Sequence, residues 1–367
     1  LIIYVVCKSA NCGCKNNVIS AKEVAGVLSK LENVKSIEFM NWKNFNDVSE
    51  VEGVNLKNLR AIELSSCSKE FIEIFLPKVL PKNSLESLKL EHLEDFKEFK
   101  EIFESQQSVK TLILTGPFYG FEDALKNLKL EKFINIADNC NDDAPEPREF
   151  LKSIFDSQPS LKHVELAADS SYNNQVVTNE VFEKLSQVSG LEFLSVSVDG
   201  LSQIGGLQNL KNLKNLQIRS TNDEKLDVFR QFAEIKLDLL VDLTLDVWYE
   251  IPSEAYMEFG VNFPNLKNLR IILHTYHKIN FFAKIFPNLE TIGVKFGQAN
   301  HVASFSDVFE VDTGIFNYNL KKIKWTFGGS NKFEVDDFLE MLKMFPSLEE
   351  FSMNSNFPFK AEFFEKL

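Results

Sequence analysis

One phrase recurs along this chain and constrains the fold more than any other feature. It reads FPNLKNLRIIL at 263–273, FPNLETIGV at 286–294 and FPSLEEFSM at 345–353. SQPSLKHVEL at 157–166 and SQQSVKTLIL at 105–114 are looser copies. The shared pattern, L-x-x-L-x-L, puts two apolar residues two apart, on one face of a short strand, with a third on the turn leading in. Such a strand cannot bury its apolar face alone, so the copies must stack.

Counted by their second apolar residue, the copies fall at Ile37, Ile62, Leu88, Leu112, Leu128, Val164, Leu194, Leu216, Leu243, Leu269, Ile292, Ile323 and Phe351. The mean step is about 26 residues, which allows one strand and one helix per unit. The step from Leu112 to Leu128 is short and the next is long; together they make two ordinary units. Residues 20–31 read as a helix with Ser20 as its N-cap and Val24, Val27, Leu28 and Leu31 on one side. Residues 94–103, 147–155, 179–188, 223–235 and 335–345 have the same helical spacing of apolar residues between charges. Pro147 suits the first position of its helix.

On these motifs the chain resembles the leucine-rich repeat proteins. The resemblance implies an α/β solenoid, with a curved parallel β-sheet on the concave face and helices on the convex face. Residues 20–367 would be the solenoid, of about 13 repeats, and residues 1–19 a partial N-terminal strand or cap. Phenylalanine, with 34 copies, is expected to fill the space between strands and helices. Trp42 and Trp248 are expected to fill corners of the same core. A solenoid grows by layers, so 367 residues do not force two cores.

Leu59 begins LRAIELSSC, which ends on Cys67 and fits L-x-x-L-x-L-x-x-C in full. That pattern is similar to the intracellular repeats of F-box substrate receptors, and implies substrate recognition in ubiquitin ligation. Phe-Pro-Asn-Leu resembles the opening phrase of those repeats with Phe in place of Cys. The ninth position is otherwise irregular, so no ladder of buried Asn or Cys is expected there. No Leu-Pro-x-Glu stretch with a helix pair occurs in the chain. An F-box, and with it a ubiquitin-ligase adaptor as partner, would have to precede Leu1.

The first residues leave a second reading open. LIIYVV at 1–6 suits either a strand of an upstream repeat or the end of a signal peptide. Cys7, Cys12 and Cys14 resemble the disulfide cap that opens extracellular leucine-rich repeat proteins, but a fourth cysteine near Ser20 is missing. They also lack the fourth ligand of a zinc site, and no metal is expected. None of roughly thirty asparagines is followed two places on by Ser or Thr, which favours the cytoplasm or nucleus. An extracellular recognition receptor is the alternative. An enzyme regulator or inhibitor on the same scaffold is the other.

Nothing in the sequence calls for catalysis. A phosphate-binding Gly-x4-Gly-Lys loop, a His-Glu-x-x-His pair and a Gly-x-Ser-x-Gly elbow are all missing. Gly205-Gly206 and Gly328-Gly329 read as turns. His274 and His277 are too close in sequence for a helical metal pair. No catalytic residue and no cofactor is expected. A net charge of −13 argues against nucleic acid or an anionic membrane as the partner, and no apolar run is long enough to span a bilayer.

Binding of a protein partner then falls to the concave strand face. Residues three, five and seven of each L-x-x-L-x-L point away from the core. The fifth positions are Glu38, Glu63, Lys89, Ile113, Lys129 and Glu165, then Ser195, Gln217, Thr244, Arg270, Gly293, Lys324 and Ser352. Seventh positions add Arg219, Asp246, Ile272, Lys295 and Thr326. An otherwise acidic chain thus sets Arg219, Arg270, Lys295, Lys322 and Lys324 on one face, with Ile272 and Tyr276 nearby. Arg and aromatic side chains are frequent interface anchors. The expected partner is an acidic protein, and the bland alternative is a mixed-charge surface. Three insertions, 136–146, 169–178 and 297–319, break the rhythm and are expected to be polar loops.

Overall fold

The computed structural model describes residues 2–6, 19–31, 33–42, 45–46, 48, 51, 54, 56–93, 99–116, 120–137, 146–168, 177–221, 226–247, 251, 253–273, 279–296, 303–304, 319–327, 331–332 and 335–354. Cys7, Cys12, Cys14, Trp248, His274, Tyr276, His277, Gly328 and Gly329 lie outside them, as do most of the three insertions.

The chain gathers into two compact units, Leu1–Leu191 and Glu192–Leu367. Among the described residues, the main sheet of the first has seven strands, β1 (Ile2–Val6), β2 (Ser36–Met40), β3 (Ala61–Ser65), β4 (Ser87–Glu91), β5 (Thr111–Thr115), β6 (Lys132–Ala137) and β7 (His163–Ala168). Each pairs in parallel with the next in chain order. The second holds β8 (Phe193–Ser197), β9 (Asn215–Ser220), β10 (Asp242–Val247), β11 (Asn268–Leu273), β12 (Thr291–Phe296), β13 (Lys322–Phe327) and β14 (Glu350–Asn354). These too are parallel and in chain order. Parallel strands in chain order, most of them joined by a described helical segment, make an α/β leucine-rich repeat solenoid.

The register follows the repeat. Ile3, Ile37, Ile62, Leu88, Leu112, Phe133 and Val164 form one row in the first unit. Leu194, Leu216, Leu243, Leu269, Ile292, Ile323 and Phe351 form the matching row in the second. Leu128 is the one predicted core residue that is displaced. The strand there starts at Lys132, and Phe133 stands opposite Leu112. Leu128 is buried, but on the turn leading in. The outward fifth position of that repeat is therefore Ile134, not Lys129.

Successive repeats are also tied at the strand entrance. Two backbone N–H groups, those of Arg60 and Ala61, donate to the carbonyl of Lys35 at 2.8 and 3.0 Å. Glu290 and Thr291 do the same to Lys267, and Lys321 and Lys322 to Glu290. This sharing of one acceptor pins the register before the strand begins, so a strand slip would break both bonds.

Helices cover the buried face of the strands. The described ones are α1 (Ala21–Leu28), α2 (Leu76–Val79), α3 (Phe99–Ser105), α4 (Glu122–Leu125), α5 (Glu146–Ser157), α6 (Asn179–Leu185), α7 (Leu226–Ala233), α8 (Ser253–Asn262), α9 (Ile279–Ile285) and α10 (Val335–Met344). Ser20 caps α1 as expected, its hydroxyl accepting from the Glu23 N–H at 3.2 Å. Pro147 is the second residue of α5, not the first. Gly205 and Gly206 open a 3-10 helix to Asn209 instead of a turn. A π-helical turn, Phe71–Phe75, leads into α2.

Phenylalanine forms the layer between strands and helices. In the first unit Phe39 meets Phe71 and Phe75, and Phe133 meets Phe150 and Phe155, with ring centroids 5.0–6.5 Å apart. In the second, Phe232, Phe259 and Phe263 form a triangle with centroids 5.0–5.6 Å apart. Trp42, 3% exposed, packs edge-on to Phe39 and completes the first cluster.

Candidate functional site

Alternation of side chains along each strand turns every second residue away from the helices. In the second unit those outward residues make three rows. The first runs Asn215, Asp242, Asn268, Thr291, Lys322, Glu350; the second runs Gln217, Thr244, Arg270, Gly293, Lys324, Ser352. In the third, Arg219 lies beside Asp246, while Ile272, Lys295 and Thr326 follow one another.

This register sorts the predicted cations. Arg270, Lys295, Lys322 and Lys324 gather around Gly293. Arg270 and Lys324 flank it in the row, Lys295 lies two residues along the same strand, and Lys322 stands beside Thr291. Arg219 is not part of the group. It sits on β9 next to Asp246, and three strand spacings, about 14 Å, separate it from Lys295. Ile272 is partly exposed beside Lys295. The five cations expected on one face thus divide into a cluster of four and an outlier.

Two members of the cluster are already engaged. Glu350 Oε2 lies 2.8 Å from Lys322 Nζ, and its Oε1 lies 3.6 Å from Lys324 Nζ. The Lys322 ammonium, then that of Lys324, holds the Glu350 carboxyl below its ordinary value, so it is ionised at neutral pH. No ion pair among the described residues involves Arg219, Arg270 or Lys295, all of them exposed. Glu350 is a third-position residue and could have been read from the repeat. Its hold on two lysines depends on rotamers that no sequence pattern reports.

The outward face of the first unit has the opposite charge. Glu38, Glu63, Lys89, Ile113, Ile134 and Glu165 lie in one row. Lys89 bonds Glu63 and Glu91. Burial, then the neighbouring Glu63, pushes the Glu38 carboxyl above its ordinary value, against the pull of Lys89. Further along, His163 Nε2 lies 2.6 Å from Glu165 Oε1.

A regular feature of the turns is legible in the repeat but lies off the predicted face. The asparagine of Phe-Pro-Asn-Leu forms a ladder: Asn265 donates to the Asp238 carbonyl at 2.7 Å, and Asn288 to Pro264 at 2.9 Å. Asn319 continues it, donating to Pro287 at 2.8 Å. The next position but one carries Lys267, Glu290 and Lys321, with Glu290 bridging both lysines at 2.9 and 3.2 Å. Together they line a groove of about 310 Å³. Its asparagines are held by backbone carbonyls of the preceding turns and its charges by one another, which marks it as a seam between repeats.

Cys67, the residue that completes the F-box-type pattern, is 5% exposed. Its Sγ donates weakly to the carbonyls of Phe39 and Ser65 at 3.5 and 3.6 Å. Burial pushes the thiol up to about 12, from 9.0. Three pH units lower the thiolate fraction about a thousandfold, and the thiolate is the reactive form. Mass-mapped alkylation of native protein should leave Cys67 unlabelled at pH 8 and label it fully in denaturant; comparable labelling in both would contradict the burial.

Among the described residues, no group of three or more His, Cys, Asp or Glu side chains could hold a metal. No described helix is long and apolar enough to cross a membrane.

No protein-family model matches the chain, and no curated protein does. Among solved structures it is similar to an internalin of Listeria monocytogenes, at 11% identity and TM-score 0.43, over 93% of this chain and 94% of that one. The complex of Rad7 and Elc1 in yeast gives 15% identity and TM-score 0.41, over 77% and 85%. An octameric complex of Latrophilin 3, Unc5D and FLRT2 gives 15% and 0.39, over 89% and 86%. Likeness this remote carries no inference about partner or chemistry.

Proposed function

We propose that this chain is a non-catalytic scaffold that binds an acidic protein through the outward strand face of its second unit. The observation that carries the reading is the gathering of Arg270, Lys295, Lys322 and Lys324 on adjacent strands of a chain whose net charge is −13. Solubility does not need such a cluster on an acidic protein. Interfacial charges chiefly speed encounter and set register, so binding should weaken with salt, mainly through a slower on-rate.

The finer reading is substrate recognition of the F-box kind in ubiquitin ligation, in the cytoplasm or nucleus. It rests on the match of residues 59–67 to the F-box-type repeat, and the burial of Cys67 supports it. Under this reading the full-length protein co-purifies with a ubiquitin-ligase adaptor. Recovery of protein partners with no adaptor among them would remove the finer reading and leave the scaffold.

The test of the scaffold changes Arg270, Lys295, Lys322 and Lys324 together to Glu. Wild-type protein should capture partners whose retention falls with salt, and the folded variant should lose them by tenfold or more. The same partners with the same salt dependence would show that the face is ordinary surface.

A further inference from the structure

The rows around Gly293 contain more than charge. Gly293 is an outward residue in mid-strand, where a side chain would otherwise stand between Arg270 and Lys324. A glycine there weakens a strand, since it has nothing to pack and loses most entropy on folding. Sterics do not demand it. A Cβ would meet Arg270 Cγ at 3.5 Å, an ordinary contact, and its backbone is not in the left-handed region. What glycine leaves is an open floor, with the stem of Arg270 leaning over one side.

The surrounding groups suit one kind of ligand. Adjacent strands lie about 4.8 Å apart, so Arg270 and Lys324 start about 10 Å apart across the floor. Both side chains can span half of that and converge above Gly293. Lys295 closes one end, and Thr291 brings a hydroxyl to the other. A carboxylate would use only part of this set. A phosphomonoester carries a charge near −2 and three strong acceptor oxygens, enough for a guanidinium, two ammonium groups and a hydroxyl together.

We propose that the Gly293 floor, with Arg270, Lys295, Lys324 and Thr291, is a recognition notch for a phosphorylated side chain on the polypeptide partner. This rests on the protein-binding reading above and names the group that anchors the partner. Charge complementarity selects it: four cations surround the floor, and Glu350 is the carboxylate bonded to two of them. Glu350 acts as an internal competitor, holding Lys324 and Lys322 until a dianion displaces it.

The experiment uses the full chain and two fluorescent peptide libraries. One has phosphoserine at a fixed central position among randomised residues, and the other has serine there. Wild type should bind the phosphorylated library at least tenfold more tightly. Gly293→Val keeps every charge and improves strand propensity, so it should fold as well as wild type by thermal unfolding. It should nevertheless lose the tenfold preference. Glu350→Gln should strengthen binding of the phosphorylated library. Equal binding of the two libraries by wild type, or an undiminished preference in folded Gly293→Val, would overturn the notch. So would inorganic phosphate competing mole for mole with the phosphopeptides, which would point to a free anion. If Gly293→Val keeps its protein partners while the four-Glu variant loses them, the notch falls and the scaffold stands. If the four-Glu variant also keeps them, the scaffold reading itself fails.

Discussion

Replacing Gln158 with leucine is expected to destabilise the first unit by about 2–5 kcal/mol, although the two side chains have similar size. Gln158 is fully buried. Its Oε1 accepts from the Leu130 N–H at 3.0 Å and its Nε2 donates to the Leu125 carbonyl at 2.7 Å. Both partners belong to the turn of the preceding repeat, where Leu125 and Leu130 are themselves fully buried. Each stranded group costs about 1–3 kcal/mol. The same position in the phrase holds Gln106, which accepts from the N–H groups of Ser84 and Leu85 and donates to the Pro81 carbonyl at 2.8 Å. In the second unit it holds Phe263, Phe286 and Phe345, all buried. There the preceding turns satisfy themselves, Leu240 N–H bonding to Leu237 and Leu266 N–H to Phe263. Glutamine and phenylalanine are thus two solutions to sealing the same gap, and they are not interchangeable. Gln158→Phe should therefore fare no better than leucine. Denaturant unfolding of the first unit, followed by hydrogen exchange at Leu130, provides the measurement. A midpoint unchanged from wild type in Gln158→Leu would show that the buried bonds contribute nothing net.

That pair of solutions shows where the sequence was informative and where it was not. The period and register were legible because the inward residues of each strand must be apolar, and two-residue spacing admits only one phase. The phase slipped at Leu128, since the true core of that repeat reads Leu130, Phe133 and Asn135, with a buried polar residue in the third place. A Leu-x-Leu pair at 128 and 130 imitated the pattern better than the strand itself did. The helices α8 and α9 were missed for a related reason. Their aromatic residues, Tyr256, Phe259, Phe281 and Phe282, seal against one another across the two helices and blur the charged face that betrays an amphipathic helix. On the candidate site, outward positions followed directly from strand alternation. The grip of Glu350 on Lys322 and Lys324 did not, and neither did the meaning of a residue with no side chain at 293. Sequence patterns report which side chains are present, and a notch is defined by one that is not.

Gly260→Ala is expected to lower the stability of the second unit, although alanine is ordinarily the better helix former by about 1 kcal/mol. Gly260 lies in α8, where its missing side chain lets α9 approach. An added Cβ would stand 2.2 Å from Ile285 Cγ2 and 2.7 Å from the Ile285 carbonyl oxygen. The first clash involves a side chain that can rotate, but the second is backbone at the end of α9 and requires the helices to separate. Overpacking of this kind costs about 1–3 kcal/mol, more than the propensity gain. Separation would also disturb the contacts of Tyr256 with Phe281 and Phe282, at 6.3 and 5.0 Å, so the loss extends beyond one side chain. Gly26 in α1 is the control, since a Cβ there would meet nothing within 4 Å. Gly26→Ala should stabilise the first unit by about 0.5–1 kcal/mol. The two substitutions, identical in chemistry, should thus have opposite signs in thermal or denaturant unfolding. Shortening the neighbour in a Gly260→Ala, Ile285→Ala double variant should recover only part of the deficit on α8, because the carbonyl clash persists. A double-mutant cycle isolates that coupling. Stabilisation by both glycine replacements would mean that α8 and α9 are not held at this close approach, and the packing of the second unit would have to be revised.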